Sequence, residues 1–373
     1  MVARRVVGID IDNGMIRTVQ LKEGSRKRLR VEEFLEFEIP RGLDDAGRIT
    51  DVSSLAAALR QLWLTANYQT KDVALGMGNV QVFVREFVIP AMPESEIKAA
   101  LPLLSEGVLP LPAADLIMDF YPFTLNEVDG QSMMHGLLVA ALASSVENLV
   151  LAVEQAGLNP ISVDLIPFAL ARFLLETDKS SGVCMLVHIA SRIINIVITV
   201  EGIPRFIRII PIANVLGQIG VADSDPSAES TYSTAPIPDS VIAATTSLPP
   251  GTPVSAPVPA APPTTETGPL DLRTSKILQN PDSRQEIMRG LRETASYYNH
   301  SHPDQLITTI KLAGFGLNQV DFSSELAEVS GLPVIPLLKS PLGHAAGSSS
   351  KAGDYETPDE LTVALALARG AFA

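Results

Sequence analysis

One strand–turn–strand pattern occurs twice in this chain, at a constant offset of 178 residues. Residues 7–19 and residues 185–197 each contain an apolar strand, a turn of small or polar residues and a second apolar strand. Two apolar strands around such a turn are typical of a β-hairpin. Two hairpins so far apart predict two similar α/β lobes that face each other. A chain of 373 residues can bury the two cores that this arrangement requires.

The segment from residue 222 to residue 270 differs from the rest of the chain in composition. It holds 11 of the 28 prolines and 15 serines or threonines, but it has neither lysine nor arginine. Such a sequence buries too little apolar surface to offset the entropy of ordering it. Residues 222–270 are therefore predicted to form a disordered insertion.

The net charge of −14 argues against a function that requires this chain to bind a polyanion. With 28 basic and 42 acidic residues, the chain is expected to bind neither nucleic acid nor anionic lipid directly. Its one cysteine excludes an internal disulfide, and its five histidines are scattered, so no metal site is expected. No apolar run reaches the roughly 18 residues of a membrane helix, so no direct membrane insertion is expected.

Three segments have the pattern of helices. Residues 53–68 and residues 145–156 repeat apolar side chains at intervals of three and four, which predicts helices that pack on a core. A third helix is predicted over residues 283–299. The histidines that follow it are interpreted as a polar C-terminal cap rather than as a metal chelate.

Longer stretches of the chain resemble one family. Residues 84–97 and residues 156–172 resemble PilM, the cytoplasmic actin-like family of type IV pilus assembly. The paired hairpins resemble the two phosphate loops of actin-like ATPases. Residues 312–316 resemble the glycine-rich adenosine loop of these proteins, and residues 361–370 resemble their closing helix.

The resemblance implies an actin-like, ribonuclease H-like α/β fold with two lobes and a small α+β subdomain inserted in the first lobe. The first lobe would comprise residues 1–79 and 155–180. The inserted subdomain would comprise residues 80–154. The second lobe would comprise residues 181–221 and 271–373.

In this family the inserted subdomain carries a groove for the cytoplasmic amino-terminal tail of PilN, a single-pass membrane protein. The resemblance therefore implies a PilN-like partner, together with other proteins of the pilus platform or motor. The alternation of Phe83, Arg85 and Phe87 fits a strand at such a groove. Alternatively, Phe83 and Phe87 fill the core of the subdomain. Either way, the partner would hold the chain in the cytoplasm, peripheral to the inner face of the membrane.

The resemblance also implies a nucleotide site, with ATP and Mg²⁺ as its ligands. The candidate nucleotide-binding residues, if the site is retained, are Asp10, Asn13, Gly14, Arg17, Ser191, Gly314 and Gly316. The positions that depart from the pattern of the family are Asp12, Met15, His188, Ala190 and Phe315. The Asp12 carboxylate would repel phosphate, and a neutral His188 cannot replace a carboxylate that holds hydrated magnesium. We therefore expect a degenerate site without catalytic residues, and no cofactor is expected to be required.

Two other functions stay open at this level. An active ATPase or small-molecule kinase of the actin superfamily would need an intact second acidic loop, which His188 and Ala190 interrupt. A cell-division protein similar to FtsA would normally end in an amphipathic membrane helix with a basic face, which residues 361–370 lack. The sequence therefore favours a scaffold that docks a membrane partner over an enzyme.

Overall fold

A computed structural model of the chain describes residues 3–12, 14–25, 28–40, 44–45, 48–128, 130–177, 182–212, 278, 280–314, 320–337 and 359–372. The predicted disordered insertion at residues 222–270 lies outside the described residues.

Fifteen strands and seven helices are described. In chain order the strands are β1 (Arg5–Asp12), β2 (Met15–Glu23), β3 (Leu29–Glu38), β4 (Asp44–Asp45), β5 (Arg48–Ile49), β6 (Asp72–Met77), β7 (Val82–Pro90), β8 (Leu116–Val128), β9 (Gln131–Leu142), β10 (Asn159–Leu165), β11 (Val183–Ile189), β12 (Ile193–Val200), β13 (Ile203–Pro211), β14 (Thr309–Gly314) and β15 (Val334–Pro336). The helices are α1 (Val52–Thr65), α2 (Glu94–Leu104), α3 (Ala143–Gln155), α4 (Ile166–Thr177), α5 (Pro281–Ser301), α6 (Val320–Ser330) and α7 (Thr362–Gly370).

Two five-stranded sheets form the centres of the two lobes, and both use the same local arrangement. In the first sheet, ordered β10-β6-β1-β2-β3, β1 pairs antiparallel with β2 and parallel with β6, which places Asp10 opposite Arg17. In the second sheet, ordered β13-β12-β11-β14-β15, β11 pairs antiparallel with β12 and parallel with β14, which places His188 opposite Asn195. The two hairpins predicted from the repeated pattern are confirmed.

Helices cover both faces of each sheet. α1 and α3 pack on the outer face of the first sheet through Leu55, Leu59 and Val153, which are fully buried. α5 and α6 cover the outer face of the second sheet. α1 begins where Asp51 accepts a hydrogen bond from the Ser54 backbone N–H at 3.0 Å, which satisfies one of the free donors of its first turn. The predicted core helices at residues 53–68 and 145–156 are thus confirmed as α1 and α3.

α4 and α7 lie between the two sheets and join the lobes. α7 packs against β1, α4 packs against β12 and β13, and the two helices contact each other. The contact between β1 and α7 is unusually close, because a Cβ on Gly8 would lie 1.9 Å from the carbonyl oxygen of Ala364. Position 8 therefore admits glycine alone without a shift of the helix.

The third sheet, ordered β7-β9-β8, forms a small subdomain with α2. Its core contains Ile89, Ile97 and Leu101, all buried. α3 follows β9 directly, but it packs against α1 of the first lobe. The compact subdomain thus consists of β7, α2, β8 and β9, and α3 belongs by its contacts to the first lobe. None of the described helices is long and apolar enough to cross a membrane.

Candidate functional site

The turns of the two hairpins meet between the lobes through a direct contact. The Asp12 Oδ2 atom, at the end of β1, accepts a hydrogen bond from the Ser191 backbone N–H at 3.0 Å. The same oxygen accepts a second hydrogen bond from the Ser191 hydroxyl at 2.6 Å. Ser191 is buried, with 4% of its surface exposed. The first hairpin therefore supplies a carboxylate to the backbone donor of the second hairpin.

The other candidate residues of the first hairpin lie close to this contact. Asp10 and Arg17 are opposite each other on β1 and β2, and both are buried. The Arg17 Nε donates to Glu36 Oε1 on β3 at 3.0 Å. Met15 is buried, and Gly14 has a φ of 79°, as the tight turn requires. Asn13 lies outside the described residues.

His188 is the centre of a buried cluster at the end of β11. The Asn195 Nδ2 donates to His188 Nδ1 at 3.2 Å. Burial, and then the nearby Arg17 guanidinium, lowers the pKa of His188 to about 4. The imidazole is therefore neutral at pH 7. It cannot take the role of a carboxylate that binds a hydrated cation.

Gly314, at the end of β14, packs directly on the imidazole ring of His188. A Cβ at this position would lie 2.4 Å from the Ile189 carbonyl oxygen and 3.0 Å from His188 Nε2, and the φ of Gly314 is 76°. Glycine is thus required at position 314, because the Ile189 carbonyl and the His188 ring leave no room for a side chain. Phe315 and Gly316, the other candidates of this loop, lie outside the described residues.

Ala190 completes the second turn, where its backbone N–H donates to the Ile193 carbonyl at 2.9 Å. The structure therefore brings Asp10, Asp12, Arg17, His188 and Ser191 into one region between the lobes.

Among the described residues, no group of three or more histidines, cysteines or carboxylates is arranged to hold a metal ion. His300 lies within the last turn of α5, and His302 is its C-cap residue, whose backbone N–H donates to the Tyr298 carbonyl at 2.9 Å.

A mostly apolar groove of about 400 Å³ lies between the subdomain and the first lobe. Five consecutive residues of β8, residues 117–121, line it. Since side chains of a strand alternate between its two faces, an unbroken run means that the strand borders the groove with its edge. From the first lobe, Val163 and Phe168 line the groove, and the Phe168 ring lies 5.1 Å from the ring of Tyr121.

Few charged groups line this groove. Of its 18 described lining residues, three are charged: Asp119, Asp164 and Arg172. Arg172 forms an ion pair with Asp164. Burial raises the pKa of Asp164, and the Arg172 guanidinium opposes that rise. Gly202, in the turn between β12 and β13, and residues 203–204 at the start of β13 add a contribution from the second lobe.

The three residues predicted to contact a partner lie on β7, at the opposite edge of the same sheet. Phe83 and Phe87 are half-buried and pack against the core of the subdomain, whereas Arg85 is exposed. Phe83 and Arg85 line a cleft between β7 and β13, and Phe87 lines a separate cavity toward the second lobe. Their contact with a partner stays a prediction.

The family is decided by a sequence match. The profile of the family described as "Type IV pilus assembly protein PilM" matches residues 8–208, more than half of the chain. The chain belongs to the PilM family. The matched region includes most of the first hairpin, all of the second, the subdomain and the groove beside β8, so the family predicted from residues 84–97 and 156–172 is confirmed.

One solved structure supports the fold of this PilM-family chain. A PilM-PilN type IV pilus biogenesis complex aligns with a TM-score of 0.71 at 18% identity, over 99% of this chain and 98% of that chain. The protein EutJ of ethanolamine utilization from Carboxydothermus hydrogenoformans aligns with a TM-score of 0.45 at 12% identity, over 98% and 89% of the two chains. No curated protein matches the chain significantly. The actin-like α/β fold is confirmed.

Several contacts of these sites could not be predicted from the sequence. Asp12 was expected to face a ligand, and its bond to Ser191 was not predicted, because a bond across 179 residues leaves no local pattern. Asn195 was not predicted as the partner of His188. The groove beside β8 had a detectable signal: Ile117, Asp119 and Tyr121 are the outward positions of a strand whose alternate residues are buried.

Proposed function

We propose that this PilM-family protein is a docking scaffold of the type IV pilus assembly platform and binds the cytoplasmic amino-terminal tail of a PilN-like membrane protein. The observation that carries the proposal is the apolar groove bordered by the edge of β8. The similar solved structure is a PilM-PilN complex, which supports a partner of this kind. Other proteins of the platform or motor would bind elsewhere on the scaffold.

The edge of β8 has the properties of a peptide-binding strand. An extended peptide adds to a free sheet edge through main-chain hydrogen bonds, while alternate side chains enter pockets. β8 is an edge strand, and Ile117 and Tyr121 on it are 44% and 38% exposed. Large apolar side chains on an exposed edge promote aggregation unless something covers them. A tail that places apolar side chains between Tyr121 and Phe168 would cover them.

The charges of the groove favour a tail that is apolar with at least one basic residue. Arg172 is paired with Asp164, whereas Asp119 is exposed on β8. The Asp119 Oδ1 accepts from the Phe120 backbone N–H at 2.8 Å, which leaves its second oxygen for a cation. A PilN-like partner spans the membrane, so docking its tail would hold the scaffold at the inner face.

Fluorescence anisotropy with a labelled peptide of the PilN-like tail tests this placement. Ile117→Asp is expected to weaken binding by at least about tenfold, because it introduces a charge into an apolar groove. Leu125→Asp is the matched control, since Leu125 lies on the same strand, is 63% exposed and does not line the groove. It should leave the affinity within about twofold.

Arg85→Glu tests the alternative placement of the tail on β7. We expect this variant to bind the tail peptide normally. Equal loss of affinity in Ile117→Asp and Leu125→Asp, or loss in Arg85→Glu alone, would refute the groove beside β8 as the tail site.

We propose further that the cleft between the hairpins does not hydrolyse ATP. The described residues do not fit a magnesium-bound triphosphate. Ser191, whose backbone N–H would face phosphate, donates to Asp12 instead. At about 5 Å and an effective dielectric constant of about 20, a carboxylate repels each phosphate charge by about 3 kcal/mol. The buried, neutral His188 offers no carboxylate for a hydrated cation. These features support a degenerate site over an active ATPase or kinase.

A further inference from the structure

A second groove borders the other edge of the subdomain sheet. β7 and β13 are edge strands of separate sheets, and a cleft of about 450 Å³ lies between them. Residues 82–85 of β7 and residues 206–209 of β13 line the cleft as unbroken runs, so it is bordered by two strand edges. Glu293 and Tyr297 of α5 complete the lining.

The exposed side of α5 continues this cleft across the second lobe. Six residues of the helix line a shallow depression, and their spacing of three and four residues places them on one side of the helix. They are Arg289, Arg292, Glu293, Ser296, Tyr297 and His300. Glu293 and Tyr297 line both the depression and the cleft. We call the two together the basic–aromatic surface.

The basic–aromatic surface has a charge opposite to that of the chain. It holds four arginines, Arg85, Arg208, Arg289 and Arg292, and one glutamate, whereas the whole chain has 42 acidic and 28 basic residues. Within the part of the chain that the structure describes, Arg85 and Arg292 form neither a hydrogen bond nor an ion pair. Clustered arginines repel one another, so this surface favours an acidic partner.

Two of the four arginines have partners that do not neutralise the surface. The Arg289 Nε and the Glu293 Oε1 are 4.0 Å apart, and the two side chains are 66% and 59% exposed, so water and salt screen their attraction. The Arg208 guanidinium donates to the Thr294 hydroxyl at 3.1 Å, which is a neutral acceptor. The positive charge of the surface is therefore available to a ligand.

Aromatic rings lie at the junction of the cleft and the depression. Tyr297 is 59% exposed, and its ring lies 5.8 Å from the ring of Phe206. Arginine, tyrosine and phenylalanine are among the residues enriched at protein interfaces. An apolar side chain that inserts beside the two rings would enter a surface that also holds four arginines.

We propose that the basic–aromatic surface docks an acidic, extended segment of a partner protein. The segment would lie in the cleft between β7 and β13, with an aromatic side chain beside Phe206 and Tyr297. Its carboxylates would then contact Arg85 and Arg292. A membrane carrying anionic headgroups can reach the arginines of α5, but it has no chain to enter a cleft between two strand edges, so the shape favours a polypeptide.

The test uses the full chain and a labelled synthetic peptide of aspartates and glutamates around one central tryptophan. Anisotropy titrations at low and high salt compare it with the same peptide carrying lysines in place of the acids. Vesicles of phosphatidylglycerol form a separate arm. We expect the acidic peptide to bind with an affinity that falls as salt rises, and we expect neither the lysine peptide nor the vesicles to bind.

Charge reversal assigns the binding to the surface. The double variant Arg85→Glu with Arg292→Glu is expected to lower the affinity for the acidic peptide by roughly tenfold or more. The matched control is Arg28→Glu with Arg30→Glu, two exposed arginines of the first lobe, which should bind the peptide as the native chain does. Tyr297→Ser should lower affinity while leaving the salt dependence unchanged.

The outcomes separate this proposal from its alternatives. Equal loss in both double variants, binding of the vesicles with loss in Arg85→Glu/Arg292→Glu, or no binding of the acidic peptide at low salt would each overturn it. Binding of the PilN-like tail peptide is measured on the same variants. Because that tail is placed at β8, on the other edge of the sheet, a failure here would leave the tail groove unaffected.

Discussion

The contact between Asp12 and Ser191 predicts a measurable energetic coupling between the two lobes. Asp12 accepts two hydrogen bonds, at 3.0 Å from the Ser191 N–H and at 2.6 Å from its hydroxyl. A hydrogen bond to a charged group contributes about 1.5–3 kcal/mol when it is shielded from water. Ser191 is buried and Asp12 is half-buried, so we expect Asp12→Ala to lower the free energy of unfolding by about 3 kcal/mol.

A double-mutant cycle isolates the hydroxyl bond from other effects of the substitutions. Ser191→Ala removes the hydroxyl but keeps the backbone donor, so the coupling energy of Asp12→Ala with Ser191→Ala should be about 1–2 kcal/mol. The assay is equilibrium unfolding in urea. The control cycle pairs Asp51→Ala with Ser54→Ala, since Asp51 also accepts from a serine N–H and hydroxyl, but at an exposed helix end.

The Asp12–Ser191 contact joins the two lobes, whereas the Asp51–Ser54 contact lies at the start of one helix. The control pair belongs to one helix and should lose about 1 kcal/mol on Asp51→Ala, as for an ordinary N-cap. A coupling energy below about 0.5 kcal/mol for Asp12 and Ser191, which is the error of additivity for independent sites, would exclude an energetic link between the lobes through this contact.

Three further predictions concern the core and the cleft. Gly8→Ala should destabilise the protein by about 3 kcal/mol, because its Cβ would lie 1.9 Å from the Ala364 carbonyl oxygen. The pKa of His188 is about 4 in the folded chain and about 6.5 in the unfolded chain. Its contribution to stability is therefore present above pH 6.5 and is lost as the pH falls toward 4. Between pH 7 and pH 5, the free energy of unfolding of the native chain should fall by about 2 kcal/mol more than that of His188→Gln. Calorimetry with magnesium-ATP should detect no binding tighter than high micromolar, because the Asp12 carboxylate occupies the Ser191 donors.

Each of these predictions has its own control. For Gly8→Ala the control is Gly24→Ala, where the nearest atom to the new Cβ is 3.3 Å away, and equal losses would exclude the close contact with α7 as the cause. For His188, identical pH profiles of the native chain and His188→Gln would contradict a buried neutral imidazole. For the cleft, a low-micromolar dissociation constant for magnesium-ATP would show that phosphate displaces Asp12 from the Ser191 donors.

Much of the fold could be predicted from the sequence because its determinants are local. The apolar hairpins at β1–β2 and β11–β12, and the helices α1 and α3, are periodic patterns within 20 residues. The extent of the inserted subdomain could not be read this way. α3 has the same apolar pattern whether it packs on the subdomain or on α1. Which of the two it contacts depends on where the end of β9 places it.

The sequence names candidate residues of the site but not the bonds between them. Asp12 and His188 were singled out because they depart from the family pattern that the resemblance implies. The sequence does not show that Asp12 bonds to Ser191, or that Asn195 and Gly314 enclose the imidazole of His188. Such contacts depend on how two lobes with separate cores are brought together. The same applies to the groove beside β8, whose walls come from segments far apart in the chain.

For the scaffold that we propose, the Asp12 carboxylate offers a physical route from a nucleotide-binding fold. In an actin-like cleft the donors of the second hairpin would need an anion, since buried N–H groups without acceptors are costly. Here the first hairpin supplies that anion from within the chain. The groove beside β8 is lined by both lobes and by the subdomain, with residues 202–204 as the part from the second lobe. A contact that holds the lobes in one relation without a ligand would therefore also keep the walls of the groove in place. In the function that we propose, one change would thus both remove the need for ATP and preorganise the groove for a partner.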